Sequence, residues 1–176
     1  MLLKIVIAIA VLIVMVFLFA ATRPSTFSIR RSVVINASPE KIFGLINDFH
    51  NWSRWAPHDT EDPTMKRTYS GSISGSGAVS GWQGKGSTGK GQMSITESVP
   101  FSRVSVETYF EKPFKAHNVN EFVLEPDVSA TRVTWTMKGP NLFMMKIMSI
   151  FVNMDRMMGK HFETGLNNLK KVAESS

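Results

Sequence analysis

At 176 residues the chain is long enough for one domain with a substantial hydrophobic core, and its lack of cysteine excludes disulfides and thiol chemistry. A formal charge of +6 and a pI near 9.7 point to anionic membranes or anionic ligands as partners. Nucleic acid is set aside, because the Lys and Arg residues are scattered and line no predicted helix.

The first predicted element is a membrane helix. Ile5 to Ala21, IVIAIAVLIVMVFLFAA, is unbroken apolar sequence with no polar face. It matches the shortest helix that spans a bilayer, about 17 residues. Lys4 can snorkel to the headgroups. A cleaved secretory signal is the rival, with Ala20-Ala21-Thr22 as a passable cut site. The length of the run and the nearby Pro24 favour an uncleaved anchor, and hence a single-pass membrane protein. Arg23, Arg30 and Arg31 on one side and Lys4 on the other leave the orientation undetermined. Arg23 to Thr26 is a short tether, which keeps the domain near the membrane surface.

Ser32 to Trp55, SVVINASPEKIFGLINDFHNWSRW, predicts a strand, a capped helix and a tryptophan turn. Val33 and Ile35 alternate with Val34 and Asn36 at the strand period. Ser38 suits an N-cap, Pro39 the first helical position and Glu40 the positive end of the helix dipole. Ile42, Phe43, Leu45, Ile46 and Phe49 form one apolar stripe, and Trp52 and Trp55 follow.

A meander comes next. Strands are predicted at 65–70, 78–83, 92–99, 103–110, 117–124 and 131–137, with Gly, Pro, Asp or Ser in the connections. Val104, Val106, Thr108 and Phe110 share one face, as do Val133, Trp135 and Met137; the alternate positions are predicted to be wet. Leu142 to about Ala173 reads as one long helix, with breaks conceivable at Gly159 or Gly165. Ile147, Phe151, Met154, Met158, Phe162, Leu166 and Leu169 form its buried stripe.

Little of this points to chemistry. Gly84 to Gly91, GKGSTGKG, nearly matches a phosphate loop, but it lacks the terminal Ser or Thr and precedes a strand rather than a helix. His50, His58, His117 and His161 have no metal-site spacing, so neither metal nor cofactor is expected. No nucleophile elbow occurs, and no catalytic residue is assigned. Asp155 lies near the helix stripe, where a hydrogen bond would fix the helix on the sheet. The aromatic and methionine residues are the stronger signal. They favour a cavity between helix and sheet lined by Trp55, Trp82, Phe110, Phe122, Trp135, Met154, Met158 and Phe162. Asn118, Asn120, Asp155 and His161 are its polar candidates.

The segments INASPEKIFGLINDFHNWSRW, SGWQGKGSTGKGQMSITES, KPFKAHNVNEFVLEP, TRVTWTMKGP and MDRMMGKHFETGLNNLKK resemble the START-like helix-grip superfamily, also called SRPBCC. Within it they resemble the polyketide cyclase/dehydrase and lipid transport group, over about Thr26 to Ala173. The resemblance implies an α+β, Bet v 1-like fold: a curved antiparallel sheet gripping a long C-terminal helix around a deep cavity. The chain then divides into an anchor at 1–22, a tether at 23–26 and the domain at 27–174. Three roles stay open. The first is a membrane-anchored binder of lipid or another hydrophobic molecule. The second is an enzyme acting on a polyketide-like or other apolar substrate. The third is a protein-interaction module.

Overall fold

The computed structural model describes residues 1–57, 62, 64–85, 88–113 and 115–175. Helix α1 spans Leu2–Ala21 and stands clear of the domain along most of its length. Its 20 residues are long and apolar enough to cross a membrane, a test that a signal sequence also passes.

Strand β1 (Thr26–Ile35) follows directly, longer than the sequence pattern suggested. Helix α2 (Pro39–Ile46) begins at Ser38, whose side chain accepts from the Lys41 amide. A 3-10 turn at Phe49–Arg54 follows, capped by Asp48. Here the two tryptophans close the helix chemically. The Trp52 indole donates to the Ile46 carbonyl at 2.8 Å, and the Trp55 indole donates to the Leu45 carbonyl at 3.0 Å. Carbonyls of a last helical turn have no partner within the helix, so these rings satisfy them while burying apolar surface.

The meander is β2 (Lys66–Gly71), β3 (Ala78–Gln83), β4 (Lys90–Val99), β5 (Arg103–Lys112), β6 (Ala116–Asp127) and β7 (Ala130–Pro140). The seven strands form one antiparallel sheet in the order β1-β7-β6-β5-β4-β3-β2. Gly84 to Gly89 joins β3 to β4, so a strand follows the glycine-rich segment, as its alternation predicts. The outer face is drier than expected. Thr134 and Thr136 are buried there, and Thr134 shares a hydrogen bond with Ser32 of β1.

The C-terminal segment is two helices, α3 (Phe143–Phe151) and α4 (Met154–Glu174). The predicted single helix breaks at Val152–Asn153, not at Gly159 or Gly165. Val152 is extended, and the Asn153 side chain accepts from the Arg156 amide, starting a new helix. The two glycines stay helical and allow close approach. A Cβ on Gly159 would strike the Arg31 guanidinium, and one on Gly165 would crowd Trp135 and Pro57. Arg31, on β1, lies over Gly159 between two carboxylates, at 2.9 Å from Asp155 and 2.7 Å from Glu163. Lys170 donates to the Val34 carbonyl farther along. Helix α4 is thereby pinned over β1, the sheet's edge.

The register gives the sheet two distinct ends. Thr26 of β1 pairs with Pro140 of β7, Phe110 with Ala116, and Lys90 with Lys112 and Gln83. The start of β1 therefore lies at the same sheet end as the β3–β4 and β5–β6 turns. This is the α1 end. At the far end Val33, Ile35, Ile95, Val104, Val106, Phe122, Leu124 and Val133 meet α2 and the last turns of α4.

Candidate functional site

The inward positions of the sheet change character between its ends. On β5, Val104 and Val106 give way to Thr108, Phe110 and Lys112; on β6, Leu124 and Phe122 give way to Asn120 and Asn118. Where they change, the interior opens into a cavity of about 200 Å³. Its sheet wall is Arg67, Trp82, Met93, Thr108, Phe110, Lys112, Asn120, Trp135 and Met137. Trp52, Ala56 and Pro57 close it from the tryptophan turn, and Met65, Thr88 and Pro113 complete it from segments near the α1 end.

Local sequence explains the aromatic wall. Gly91 pairs with Trp82 on one side and Phe110 on the other. A Cβ there would strike the Trp82 ring, so glycine lets the two rings meet edge to face at 5.4 Å. The Trp82 indole is held by the Thr88 carbonyl. At the back of the cavity the Trp135 indole donates to Asn120 Oδ1 at 3.0 Å, and Asn120 Nδ2 donates to the Thr108 hydroxyl at 3.0 Å. The Thr108 proton remains for an acceptor in the cavity. These three groups give an apolar chamber one oriented polar point. Arg67 adds a cation at the start of β2, where it donates to Ser80, and Lys112 adds another at the end of β5. Nearby, Asp62 accepts from the Lys85 amide, tying the approach to β2 to the β3–β4 turn; hydrogen bonding, first from the Thr64 hydroxyl, holds its carboxyl below the usual range.

Of the residues expected from sequence, Trp82, Phe110, Trp135 and Asn120 line this cavity. Trp55, Phe122 and Phe162 do not. Trp55 and Phe122 are fully enclosed in the core, and Phe162 stacks on Trp135 at 4.1 Å, leaving no gap. Met158 packs half-buried against the core. The described lining runs from the sheet to the tryptophan turn and includes no described side chain of α4, although Phe162 of α4 stacks on its Trp135. Asp155 does tie helix to sheet, but from the surface: its carboxyl is largely exposed, and the Arg31 hydrogen bond holds it below the ordinary carboxylate range. His161 is half-buried on α4 and is not among the described lining residues. Asn118 is buried beside Met137 with its Oδ1 unpartnered. The side chains of Met154 and Phe151, and residues His58 and Phe114, lie outside the described residues. The described residues contain no cluster that could hold a metal.

Sequence reasoning missed Thr108 and Met137 as lining, although they share strand parity with Phe110 and Trp135, which it named; Met93 was also missed, on a strand from which it named no residue. It also missed Arg67, Lys112 and Trp52, whose side chains look like surface or core until the register is known.

Comparison with known proteins agrees with this architecture. A protein from Chromobacterium violaceum superposes with a TM-score of 0.59 at 16% identity, covering 86% of this chain and 99% of that one. An Aha1 dimer from Colwellia psychrerythraea gives 0.56 at 20% identity, over 84% and 96% of the two chains. A hypothetical protein from Helicobacter pylori gives 0.63 at 8% identity, over 84% and 88%. At these identities the likeness is one of fold. No curated protein sequence matches the chain. The model of the family described as polyketide cyclase / dehydrase and lipid transport matches residues 26–174. With nearly the whole chain after α1 inside that match, this protein belongs to the polyketide cyclase/dehydrase and lipid transport family.

Proposed function

We propose that the protein is a membrane-anchored binding module that takes a lipid or other hydrophobic small molecule into the cavity at the α1 end of its sheet. One observation carries the reading. The chain enters the sheet from α1 at Thr26, at the same sheet end as the lining residues Trp82, Lys112 and Pro113. With α1 in a bilayer, the chamber would open toward the lipid surface. A ligand could then pass between membrane and cavity with little exposure to water, whose exclusion from apolar surface drives the transfer. Arg67 and Lys112 suit a ligand with an anionic head, and the Thr108 hydroxyl suits an acceptor deeper along it. Binding is favoured over catalysis because the titratable groups among the described lining residues are both cations, which offer no acid–base pair.

The test is native mass spectrometry of the full chain released from lipid nanodiscs. A hydrophobic adduct should be retained by the wild type and lost from Met93→Trp, which fills the chamber. Both proteins should keep the same circular dichroism. A wild type that carries no adduct, and gains none from added fatty acid, overturns the reading.

A further inference from the structure

We propose that α3 is a second membrane contact: a short amphipathic helix that lies in the bilayer interface beside α1 and turns the cavity toward the lipid. Three observations support it. Met144 and Met148 stand one turn apart on the exposed face of α3, with Leu142 and Phe143 exposed at its start and Val152 exposed just past its end. Lys146 is the only charged residue of α3. Such an apolar face on a soluble surface marks an interaction site.

Its neighbour indicates what covers it. Phe143 meets Phe17 of α1 with ring centroids 5.6 Å apart. Phe17 lies four residues before the end of α1, about 6 Å along the axis at 1.5 Å per residue. Interfacial helices bury their apolar face about 5–10 Å into the boundary between headgroups and acyl chains. The contact therefore sets α3 at interfacial depth whenever α1 spans. Arg23, whose guanidinium lies 4.9 Å over the Phe19 ring, sits just beyond, at headgroup level. The exposed face is thus continuous with a helix that itself requires lipid. Two attachments fix an orientation that one flexible anchor cannot. Because α3 leaves β7 at the α1 end, that orientation holds the cavity opening at the bilayer. The inference rests on the reading of α1 as an uncleaved anchor.

The chain lacks cysteine, so single cysteines can report depth in the full-length protein. Met144→Cys and Met148→Cys would each carry an NBD label in nanodiscs of phosphatidylcholine with a minor fraction of phosphatidylglycerol. Leu12→Cys, within α1, and Val128→Cys, in the exposed turn at the far end, serve as references. Labels at 144 and 148 should shift to the blue, lose most of their emission to lipids doxyl-labelled near the headgroup, and resist aqueous iodide. The label at 128 should do the reverse. If 12 is quenched by lipid while 144 and 148 behave like 128, α3 is not a membrane contact, and the anchor stands. If 144 and 148 resist both quenchers, another protein covers α3, and the inference fails. If 12 itself is not in lipid, the anchor reading and this inference fall together.

Discussion

The two halves of the interior are built from the same strands yet differ in kind. At the far end the inward residues are Val104, Val106, Ile95, Phe122, Leu124 and Val133, all buried, under Ile42, Ile46, Leu166 and Leu169. At the α1 end the same strands present Thr108, Lys112, Met93, Asn120 and Asn118. The first set has rigid apolar shapes that fill space at crystal-like density. The second mixes flexible and hydrogen-bonding side chains, which pack poorly against one another and are satisfied by specific partners instead. Trp135 sits at the junction, stacked on Phe162 toward the solid side and hydrogen-bonded to Asn120 toward the hollow one. One half of the sheet stabilises the fold, and that stability permits the other half to stay open.

Truncation tests the solid half most severely. Phe122 is fully buried and packs against Trp52, Trp55 and Trp135. Phe122→Ala should destabilise the domain by about 3–5 kcal/mol. Urea titration of the full chain in detergent would read this as a large fall in midpoint with the slope unchanged. A small effect would mean that this half is also loosely packed.

Overpacking separates the halves directly. Ile95 and Met93 lie two residues apart on β4, both pointing inward. Ile95→Trp inserts volume into a filled core and should cost about 1–3 kcal/mol or more. Met93→Trp inserts it into the chamber and should cost less than half as much, while abolishing ligand retention. Equal costs in the same urea titration would show that the cavity collapses around its occupants.

Much of the fold was legible because its signals are local. The Ser38-Pro39-Glu40 helix start, the two-residue alternation of the strands and the apolar stripe of α4 each need only a short window of chain. The break before Asn153 was less visible, since asparagine caps a helix no more loudly than Gly159 interrupts one. The site was legible only in part. Aromatic content pointed to Trp82, Phe110 and Trp135, but the same content named Trp55, Phe122 and Phe162, which are core. Whether a ring fills space or borders it depends on what stands opposite, and that is set by sheet register and by where α4 is pinned. The pinning itself rests on Arg31 meeting Asp155 and Glu163 more than a hundred residues away, a contact that no local pattern announces. A usable signal was nonetheless present: the switch along one strand face from Val104 and Val106 to Thr108, and from Leu124 and Phe122 to Asn120.

Asn118 sharpens the hollow half further. Its Oδ1 is buried without a partner, and Met137 Sδ is a weak acceptor for its Nδ2. An unsatisfied buried polar group carries an unrecovered desolvation cost. Asn118→Leu, close in shape, should therefore stabilise the ligand-free protein by about 1 kcal/mol. If a bound molecule donates to this oxygen, the same variant loses affinity while gaining stability. Measuring the urea midpoint and adduct retention together distinguishes a functional handle from a simple packing defect.

The smallest expected effect concerns the clamp that ties α4 to β1. In the folded state the Arg31 hydrogen bond lowers the Asp155 carboxyl below its ordinary range, and Asp155, ahead of Glu163, raises the Arg31 guanidinium. A depressed carboxylate contributes stability above its unfolded pKa and loses it as pH falls through the folded value. The raised guanidinium contributes fully below its own unfolded pKa, so it adds no titration on the acid side. The clamp's own contribution to stability should therefore be flat near neutrality and fall in the acid range of aspartate. Asp155→Asn should remove part of that fall and lower the neutral-pH midpoint slightly, since the pair is solvent-facing and screened. Gly159→Ala acts on the same clamp by a different force: its methyl group displaces the guanidinium from between the two carboxylates. The guanidinium ends a flexible side chain and alanine favours a helix over glycine, so the midpoint should change little while the acid limb shrinks. If Gly159→Ala instead stabilises the protein and leaves the acid limb unchanged, Arg31 does not hold the helix. Helix α4 is then held by the Lys170–Val34 hydrogen bond and the Phe162–Trp135 stack.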